Sequence, residues 1–276
     1  MIAIVTDSTS DIPPEMASEY GIRVIPAILI VEGVPFEDGV GLSREEFYSL
    51  LPGLQTPPTT AAPSSGSIQA VYQDLLAGGV ESVVSLHVAA SLSGIYAAAR
   101  IAAKPFGDRV TVIDSGQLSL GLGFQVIAAA EAAAAGGYLD DVLAAVEGTR
   151  RRIQVVAMLD TLEYLRRGGR VSLLKAGLGA VLRMRFFIEL HEGKVSMLEQ
   201  VRTRTKALGR LWELVVSLGQ VERFAVLHAN AEEDAKRLLQ RLMPDLPMGA
   251  LLVNVNTVIG THVGPGALGF AAVLRK

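Results

Sequence analysis

Short apolar, β-branched runs alternate along the chain with longer stretches in which apolar residues recur every three or four positions. The first pattern is typical of buried strands and the second of amphipathic helices. Regular alternation of the two indicates an α/β protein with mainly parallel sheets. The predicted strands are residues 2–6, 22–31, 82–86, 109–113, 153–159, 186–190, 195–201, 223–228 and 250–256.

Helix-start signals accompany several of the helical stretches. Ser10-Asp11 followed by Pro13 predicts a capped helix after the first strand, and Ser43 with Glu46 matches a capping box. The turn Glu192-Gly193 between two apolar runs predicts a hairpin. The further predicted helices are residues 68–76, 92–103, 120–135, 139–151, 205–218 and 232–242, and residues 55–67, rich in Thr, Pro and Ser, are predicted to form a loop.

The chain is long enough for two domains, and the pattern restarts near residue 150. We therefore expect an N-terminal α/β domain over 1–150 and a C-terminal α/β domain over 151–276. Residues 246–274 carry no formal charge and are long enough to span a bilayer, but they contain Asn254, His262 and several Pro and Gly residues. Strands and turns suit that stretch better. The start of the chain lacks the basic flank of a signal peptide, so we expect a cytoplasmic protein.

Composition narrows the class of protein. Hydrophobic residues make up 50% and charged residues 19% of 276 positions, and the net charge is −3. This excludes a disordered chain and argues against a protein that coats nucleic acid. The absence of cysteine removes disulfides, thiolate metal sites and thiol nucleophiles.

The polar run from Asp7 to Asp11 follows the first strand, where α/β proteins often place a functional loop. An aspartyl-phosphate enzyme of the haloacid dehalogenase type would need two acids at DxD spacing, whereas here the spacing is DxxxD. The competing interpretation is structural: Asp7 accepts hydrogen bonds from nearby backbone while Ser10 or Asp11 caps a helix.

Ser91-Leu92-Ser93-Gly94 lies between a predicted strand and helix, where hydroxyls and backbone N–H groups can cap the helix or bind an anion. A nucleophilic serine would need a base, for which His262 is the candidate, although no GxSxG motif occurs. The four histidines lack the close spacing of a zinc site.

The stretch GPGALG at 264–269 matches GxGxxG, but too few residues follow for a dinucleotide-binding unit. A tight turn near a ligand explains it better, and this turn would fix the preceding His262. Residues 150–206 carry 13 Lys/Arg and 5 Asp/Glu, a net charge of +8, which leaves −11 for the rest of the chain. This basic segment is either solvated surface or a patch for an anionic group or acidic partner.

Seven stretches in the same order, covering essentially the whole chain, resemble the DegV family of bacterial lipid-binding proteins. They are TDSTSDI (6–12), PTT (58–60) with PS (63–64), SLSG (91–94) with Tyr96, DS (114–115), LEYLRRGGRVS (162–172), VRT (201–203) and HVGPGALG (262–269). The resemblance implies two α/β domains that hold one long-chain fatty acid, such as palmitate, between them. It also implies a non-catalytic carrier without a cofactor or metal, which presents the fatty acid carboxylate to a separate ATP-dependent fatty acid kinase.

By position, the resemblance assigns roles to particular residues. The residues implied to bind the carboxylate are Thr59 or Thr60, Ser93 and His262. The residues implied to support the headgroup loops are Ser91, Gly94, Gly264 and Gly266. The residues implied to face the kinase or the transferred phosphate are Arg170, Arg166 and Arg167. Transient contact with a membrane surface belongs to the same expectation.

The chain departs from the family pattern at five hydroxyl or amide positions, which are Ala61, Ala62, Ala89, Ala90 and Ile95. These changes bear on the hydrogen-bond network and leave the apolar tunnel intact. Two alternatives stay open: a serine hydrolase or acyltransferase using Ser93 and His262, and a regulatory module for which the lipid is a signal. Acyl chain preference and oligomeric state are not predicted.

Overall fold

The computed structural model describes residues 1–174 and 184–275 and confirms the α/β class. Its strands form three sheets with the orders β2-β1-β6-β7, β4-β3-β5 and β10-β9-β8-β13-β11-β12. The strands are β1 (Ile2–Asp7), β2 (Arg23–Ile25), β3 (Ile28–Val31), β4 (Val34–Glu37), β5 (Thr59–Ala61), β6 (Ser82–His87), β7 (Val110–Asp114), β8 (Ile153–Leu159), β9 (Arg185–His191), β10 (Lys194–Val201), β11 (Val221–His228), β12 (Leu251–Asn254) and β13 (Leu268–Leu274).

The helices fall largely where the sequence predicts them, with two short additions at residues 163–167 and 257–263. Ser43 and Glu46 form the expected capping box. The α-helices are α1 (Pro14–Glu19), α2 (Arg44–Leu50), α3 (Ser65–Ala77), α4 (Ile95–Ala103), α5 (Ser119–Ala134), α6 (Leu139–Arg150), α7 (Glu163–Arg167), α8 (Arg204–Val216), α9 (Glu232–Leu242) and α10 (Thr257–Val263).

The first sheet is parallel throughout, as predicted. Successive residues of its strands point to opposite faces. Val5 and Val83 therefore pack with α3 and α4, while Ile4 and Val84 belong to the core on the α5 side. Covering a parallel sheet on both faces explains why its strands read as continuous apolar runs.

The six-stranded sheet corrects the expectation of mainly parallel pairing. Its pairs are antiparallel except for β11 with β12. The connection between β9 and β10 is too short for a parallel crossover, and it is the predicted hairpin, with positive φ at Glu192 and Gly193. The last strand, β13, runs antiparallel to both of its neighbours, β8 and β11.

Three further predictions need correction. The strand predicted at 22–31 is two strands in different sheets, because Pro26 interrupts the run and cannot donate to a ladder. The loop predicted at 55–67 contains β5 and the start of α3. Helix α1 begins after Pro13 without a side-chain cap, so the predicted capping by Ser10 or Asp11 is wrong.

Residues 246–274 hold β12, α10 and β13. Strand β12 lies within the strand predicted at 250–256, whereas α10 and β13 were not among the predicted elements. Within the described ranges, no helix is long and apolar enough to cross a bilayer.

Helix α5 packs between the two larger sheets, contacting β1 and β6 on one side and β8 and β13 on the other. Two glycines allow this close approach. A Cβ at Gly121 would lie 2.6 Å from Val155 Cγ2, and a Cβ at Gly123 would lie 2.7 Å from the Ser10 carbonyl oxygen. The largest apolar core consequently runs through both halves of the chain.

Candidate functional site

A cavity lies where the two halves of the chain meet; it encloses about 710 Å³ that no protein atom fills, the open solvent at its mouth included. Its walls are mostly apolar and come from residues on both sides of position 150. The lining residues are Thr9, Thr60, Val88, Leu92, Ser93, Leu118, Leu165, Arg170, Leu173, Ile188, Val195, Val258, Ile259, His262 and Val263. The polar members are few, so the cavity has an apolar body with a small set of polar groups.

An inner chamber of about 370 Å³ continues the cavity toward the six-stranded sheet. The two spaces share Leu118, Ile259 and Val263 as lining residues. Small side chains keep the inner chamber open, among them Ala157 and Ala267. We name these two adjoining apolar spaces the tunnel; residues of α10 line both of them.

His262 stands at the polar end of the tunnel. Its Nε2 lies 3.0 Å from Thr60 Oγ1, and its Nδ1 is buried without a hydrogen-bond partner among the described residues. Burial, together with the smaller effect of the nearby Arg170 guanidinium, lowers the pKa of His262 to about 4. The imidazole is therefore neutral at neutral pH, and the tautomer protonated at Nε2 can donate a hydrogen bond toward the cavity.

Two glycines place this ring by allowing α7 and α10 to pack closely. A Cβ on Gly168 would lie 2.1 Å from His262 Nδ1. A Cβ on Gly264, which follows α10 with φ of 74°, would lie 2.2 Å from the Tyr164 ring. The packing therefore requires glycine at both positions. It explains why the GG of the long motif and the GPG turn occur together in the sequence.

Ser93 and Arg170 line the cavity and also a wide, open recess on its outer side. Ser93 Oγ accepts a hydrogen bond of 3.3 Å from the N–H of Ile95, at the start of α4, so its predicted capping role is reproduced. The Arg170 guanidinium donates to the carbonyl oxygens of Gly168, at 2.6 Å, and Leu92, at 3.3 Å. This arginine therefore joins the two loops that flank the opening.

Arg166 and Arg167 are exposed on α7, and both pair with Glu163, at 2.6 and 2.7 Å. Their hydrogen bonds lower the pKa of Glu163 to about 2. The arginines thus face solvent rather than the cavity. This part of the basic segment, residues 150–206, is therefore solvated surface. It lies close in sequence to Arg170, which lines the cavity.

The structure separates the remaining predicted residues from the cavity. Thr59 is exposed, because neighbouring residues of β5 alternate between faces. Ser91 and Gly94 line only the outer recess, and the Ser91 hydroxyl donates to the Gly193 carbonyl oxygen. Gly266 donates its N–H to the Ala229 carbonyl oxygen at 2.7 Å, as part of the tight turn. The residues that share the cavity are thus Thr60, Ser93, Arg170 and His262.

Sequence reasoning missed Thr9 and the buried network behind it. The Thr9 hydroxyl, at the cavity wall, donates to Asp7 Oδ1 at 2.5 Å. Asp7 Oδ2 lies 3.0 Å from His87 Nδ1, and His87 Nε2 lies 2.8 Å from Ser85 Oγ. All four side chains are buried, and Asp7 also accepts from the Thr9 and Val88 N–H groups. The structural interpretation of Asp7 is therefore confirmed in its backbone contacts.

Ser93 and His262, the candidate pair of a serine hydrolase, are hydrogen-bonded to other groups and not to each other. His262 is bonded to Thr60 and Ser93 to backbone. The Asp7–His87–Ser85 chain has the order of a catalytic triad, but Ser85 is fully buried and Tyr72 donates to it at 2.8 Å. Among the residues that the structure describes, no group of three or more His, Asp or Glu side chains is arranged to hold a metal ion.

The fold and cavity define a class: an α/β protein with an apolar tunnel between its sheets and a small polar end. Known proteins of this class match the whole chain. The model of the family described as "Uncharacterised protein, DegV family" matches residues 1–275. A DegV domain-containing protein of Streptomyces coelicolor is 37% identical over 99% of each chain, and Protein DegV of Bacillus subtilis is 33% identical over 97% of each. The chain belongs to the DegV family.

Solved structures share the architecture. A DegV family protein from Thermus thermophilus, described as fatty acid binding, has a TM-score of 0.91 at 32% identity, with 99% of each chain covered. Bacillus subtilis DegV, described as a fatty acid binding protein, has a TM-score of 0.88 at 31% identity over 99% of each chain. The predicted family resemblance and α/β fold are thus confirmed.

Proposed function

We propose that the protein binds one long-chain fatty acid in the apolar tunnel and presents its carboxylate to a separate ATP-dependent fatty acid kinase for acyl-phosphate formation. The observation that supports this most directly is the tunnel itself, apolar along its length and ending at a neutral histidine. Related structures described as fatty acid binding support the same ligand class. In this proposal the chain is a carrier without a catalytic group, cofactor or metal of its own, acting in the cytoplasm.

The tunnel supplies the binding free energy through the acyl chain. Each methylene group moved from water into an apolar environment contributes about 0.8 kcal/mol. The lining side chains that accept it include Leu118, Ile259 and Val263, which are shared by both spaces. An acyl chain that passes these residues reaches the inner chamber.

The polar end of the tunnel holds the carboxylate. A carboxylate buried without donors is costly, and the Thr60 hydroxyl, the Ser93 hydroxyl and His262 Nε2–H are the candidate donors. Thr60 rather than Thr59 fills the predicted role because Thr60 faces the cavity. The low pKa of His262 keeps its imidazole neutral. A neutral imidazole can donate a hydrogen bond to the carboxylate without adding a second buried positive charge beside Arg170.

The opening faces the outer recess, where Arg170 is within reach of a group leaving the tunnel. We propose that Arg170 faces the transferred phosphate and that the exposed Arg166 and Arg167 contact the kinase. Ser91 and Gly94 then belong to the rim of the same opening, and Gly264 and Gly266 support the turn behind His262. The exposed basic residues also suit transient contact with an anionic membrane surface during lipid exchange.

We propose that residues 1–150 and 151–276 are the two domains that enclose the lipid. The division falls between α6 and β8, and every strand of the six-stranded sheet lies after it. The tunnel takes its walls from both ranges.

Native mass spectrometry of the purified protein tests the ligand class. A co-purified long-chain fatty acid, or uptake of added oleate or palmitate, is the expected result. Absence of both would contradict the proposal. Thr60→Ala, Ser93→Ala and His262→Ala should each weaken retention, whereas Thr59→Ala, one residue away on the exposed face, is the matched control and should not.

A second experiment tests the kinase. Incubation of the loaded protein with its cognate kinase and ATP should yield acyl phosphate, and Arg170→Glu should lower the yield. Failure to form acyl phosphate despite bound lipid would favour the regulatory module instead. Labelling of Ser93 by a fluorophosphonate probe would favour the hydrolase.

A further inference from the structure

Helix α10 carries four of the residues that line the cavity, which are Val258, Ile259, His262 and Val263. The position of its first turn therefore sets both the apolar wall and the place of the imidazole. Asn256 caps the helix, with its Oδ1 accepting from the N–H of Ile259 at 2.9 Å. The contacts that hold Asn256 in place therefore also hold the part of the tunnel wall that α10 forms.

Asn256 is held by a carboxylate from the other end of the chain. Asp11 Oδ1 accepts hydrogen bonds from the Asn256 backbone N–H, at 2.9 Å, and from its Nδ2, at 3.1 Å. Both residues are buried. Breaking these hydrogen bonds would leave buried polar groups of Asp11 and Asn256 without partners, so this contact is a firm attachment between the first loop and α10.

Two more elements converge on the same carboxyl group. The Ser119 hydroxyl, from the start of α5, donates to Asp11 Oδ2 at 2.7 Å. The Arg44 guanidinium, from α2, lies 3.3 Å from Oδ1 and also donates to the Asn254 carbonyl oxygen. We name Asp11, Arg44, Ser119 and Asn256 the α10 anchor.

The backbone at the α10 anchor is strained. Asp11 and Ser119 are not glycines, yet their φ angles are 54° and 49°. Left-handed backbone in such residues persists only where the surroundings enforce it, and it is common at functional sites. Here the two strained residues face each other across one hydrogen bond.

We propose that Asp11, acting through Asn256, is a positioning residue of the ligand site: it fixes the start of α10 and thereby the tunnel wall and His262. This inference rests on the proposed function, since it names what holds that site closed. Release of the α10 anchor would free α10 to move, and the fatty acid would leave or enter through the gap.

The electrostatics of the α10 anchor give the proposal a measurable signature. Burial raises the pKa of Asp11 to about 6. Arg44 and the hydrogen bonds from Ser119 and Asn256 act in the opposite direction, and the nearby Asp38 adds a smaller rise. Tyr48 also faces the group from α2; burial raises its pKa, so it stays neutral.

The sign of the pH dependence follows from linkage. An anchored carboxyl that titrates near 6 binds its proton more tightly than a released one, whose pKa returns toward 3.8. The anchored state is therefore favoured at low pH and loses that advantage as pH rises through 6. If the Asp11 carboxyl group is fully released from its partners when the fatty acid leaves, dissociation should be up to about tenfold faster at pH 7 than at pH 5. His262, with a pKa of about 4, stays mostly neutral over this range.

The experiment measures the dissociation rate of cis-parinaric acid, a fluorescent long-chain fatty acid, from the full chain between pH 5 and pH 7.5. The variants are Asp11→Asn, Asp11→Ala and the control Glu131→Gln. Glu131 pairs with Arg223 at 2.6 Å and joins the two halves of the chain at another place. NMR signals of the His262 ring report its position in each variant.

We expect dissociation from the wild type to accelerate with pH, Asp11→Asn to remove this dependence, and Asp11→Ala to release the probe at least about tenfold faster. The His262 signals should shift in both Asp11 variants and not in Glu131→Gln. Unchanged rates, pH profile and ring signals in Asp11→Asn would overturn the inference, even if Asp11→Ala fails to fold. Equal effects in Glu131→Gln would overturn it too. Failure of the wild type to bind any fatty acid would instead overturn the proposed function.

Discussion

Gly168 offers the sharpest test of how the His262 ring is placed. Its φ of −77° is available to alanine, so Gly168→Ala does not strain the backbone. The added Cβ would lie 2.1 Å from His262 Nδ1 and 2.7 Å from Cε1, where ordinary contacts begin at 3.4 Å. The ring must therefore move by more than about 1 Å. Such a shift disturbs the 3.0 Å contact between His262 Nε2 and Thr60.

Loss of one hydrogen bond to the bound carboxylate corresponds to about 1.5–3 kcal/mol. The fatty acid should therefore bind roughly ten- to hundredfold more weakly to Gly168→Ala. Fluorescence titration with a labelled long-chain fatty acid measures the Kd, and denaturant unfolding measures the accompanying loss of stability.

Gly169→Ala is the matched control for this test. Gly169 has a φ of 72°, so alanine strains the backbone there, but a Cβ would meet nothing within 4 Å. We expect Gly169→Ala to lower stability while binding fatty acid nearly as the wild type does. Equal affinities in the two variants would refute the reasoning, because steric pressure on the ring would then have no effect on the ligand.

Three other comparisons test separate parts of the molecule. Gly121→Ala should lower the free energy of unfolding by about 1–3 kcal/mol, because its Cβ meets Val155 Cγ2 at 2.6 Å. Gly148→Ala, in open space on α6, should raise the free energy of unfolding by about 0.5–1 kcal/mol. Chemical denaturation of both variants compares these effects. Ala267→Leu narrows the inner chamber, so mass spectrometry of co-purified lipid should show shorter acyl chains, and an unchanged profile would place the tail elsewhere. Arg166→Glu should lower acyl-phosphate formation with the kinase and leave lipid content unchanged, since Arg166 is exposed and bonded to Glu163; loss of lipid would contradict this.

The central strands of the first sheet, β1 and β6, were predictable because they are largely buried on both faces and read as apolar runs. The six-stranded sheet was not, since strand direction depends on which strands become neighbours. Strand β13 illustrates this: its sequence marks it as apolar, but nothing in it specifies a place between β8 and β11. Helix α10 was missed because its seven residues are enclosed by Asn256, Gly264 and Pro265, which resemble turn signals.

The candidate site divides along similar lines. The family resemblance drew attention to Thr60, Ser93, Arg170 and His262, which the fold brings to one cavity. It could not distinguish Thr59 from Thr60, because the face that each presents depends on how β5 pairs with β3. The role of Asp11 was also beyond the sequence, since its partner Asn256 is 245 positions away.

The central place of β13 also has a consequence for how the protein folds. Residues 268–274 separate β8 from β11, so the two parts of the six-stranded sheet join only through the strand that lies last along the chain. Pairings so distant in sequence are slow to form, and a growing chain emerges from the ribosome with its N-terminal part first. We expect the edge of β8 in the β8–β9–β10 meander to stay unpaired until β13 pairs with it. The tunnel wall on α10 directly precedes that strand, so we expect the tunnel to form only after this long-range pairing is made.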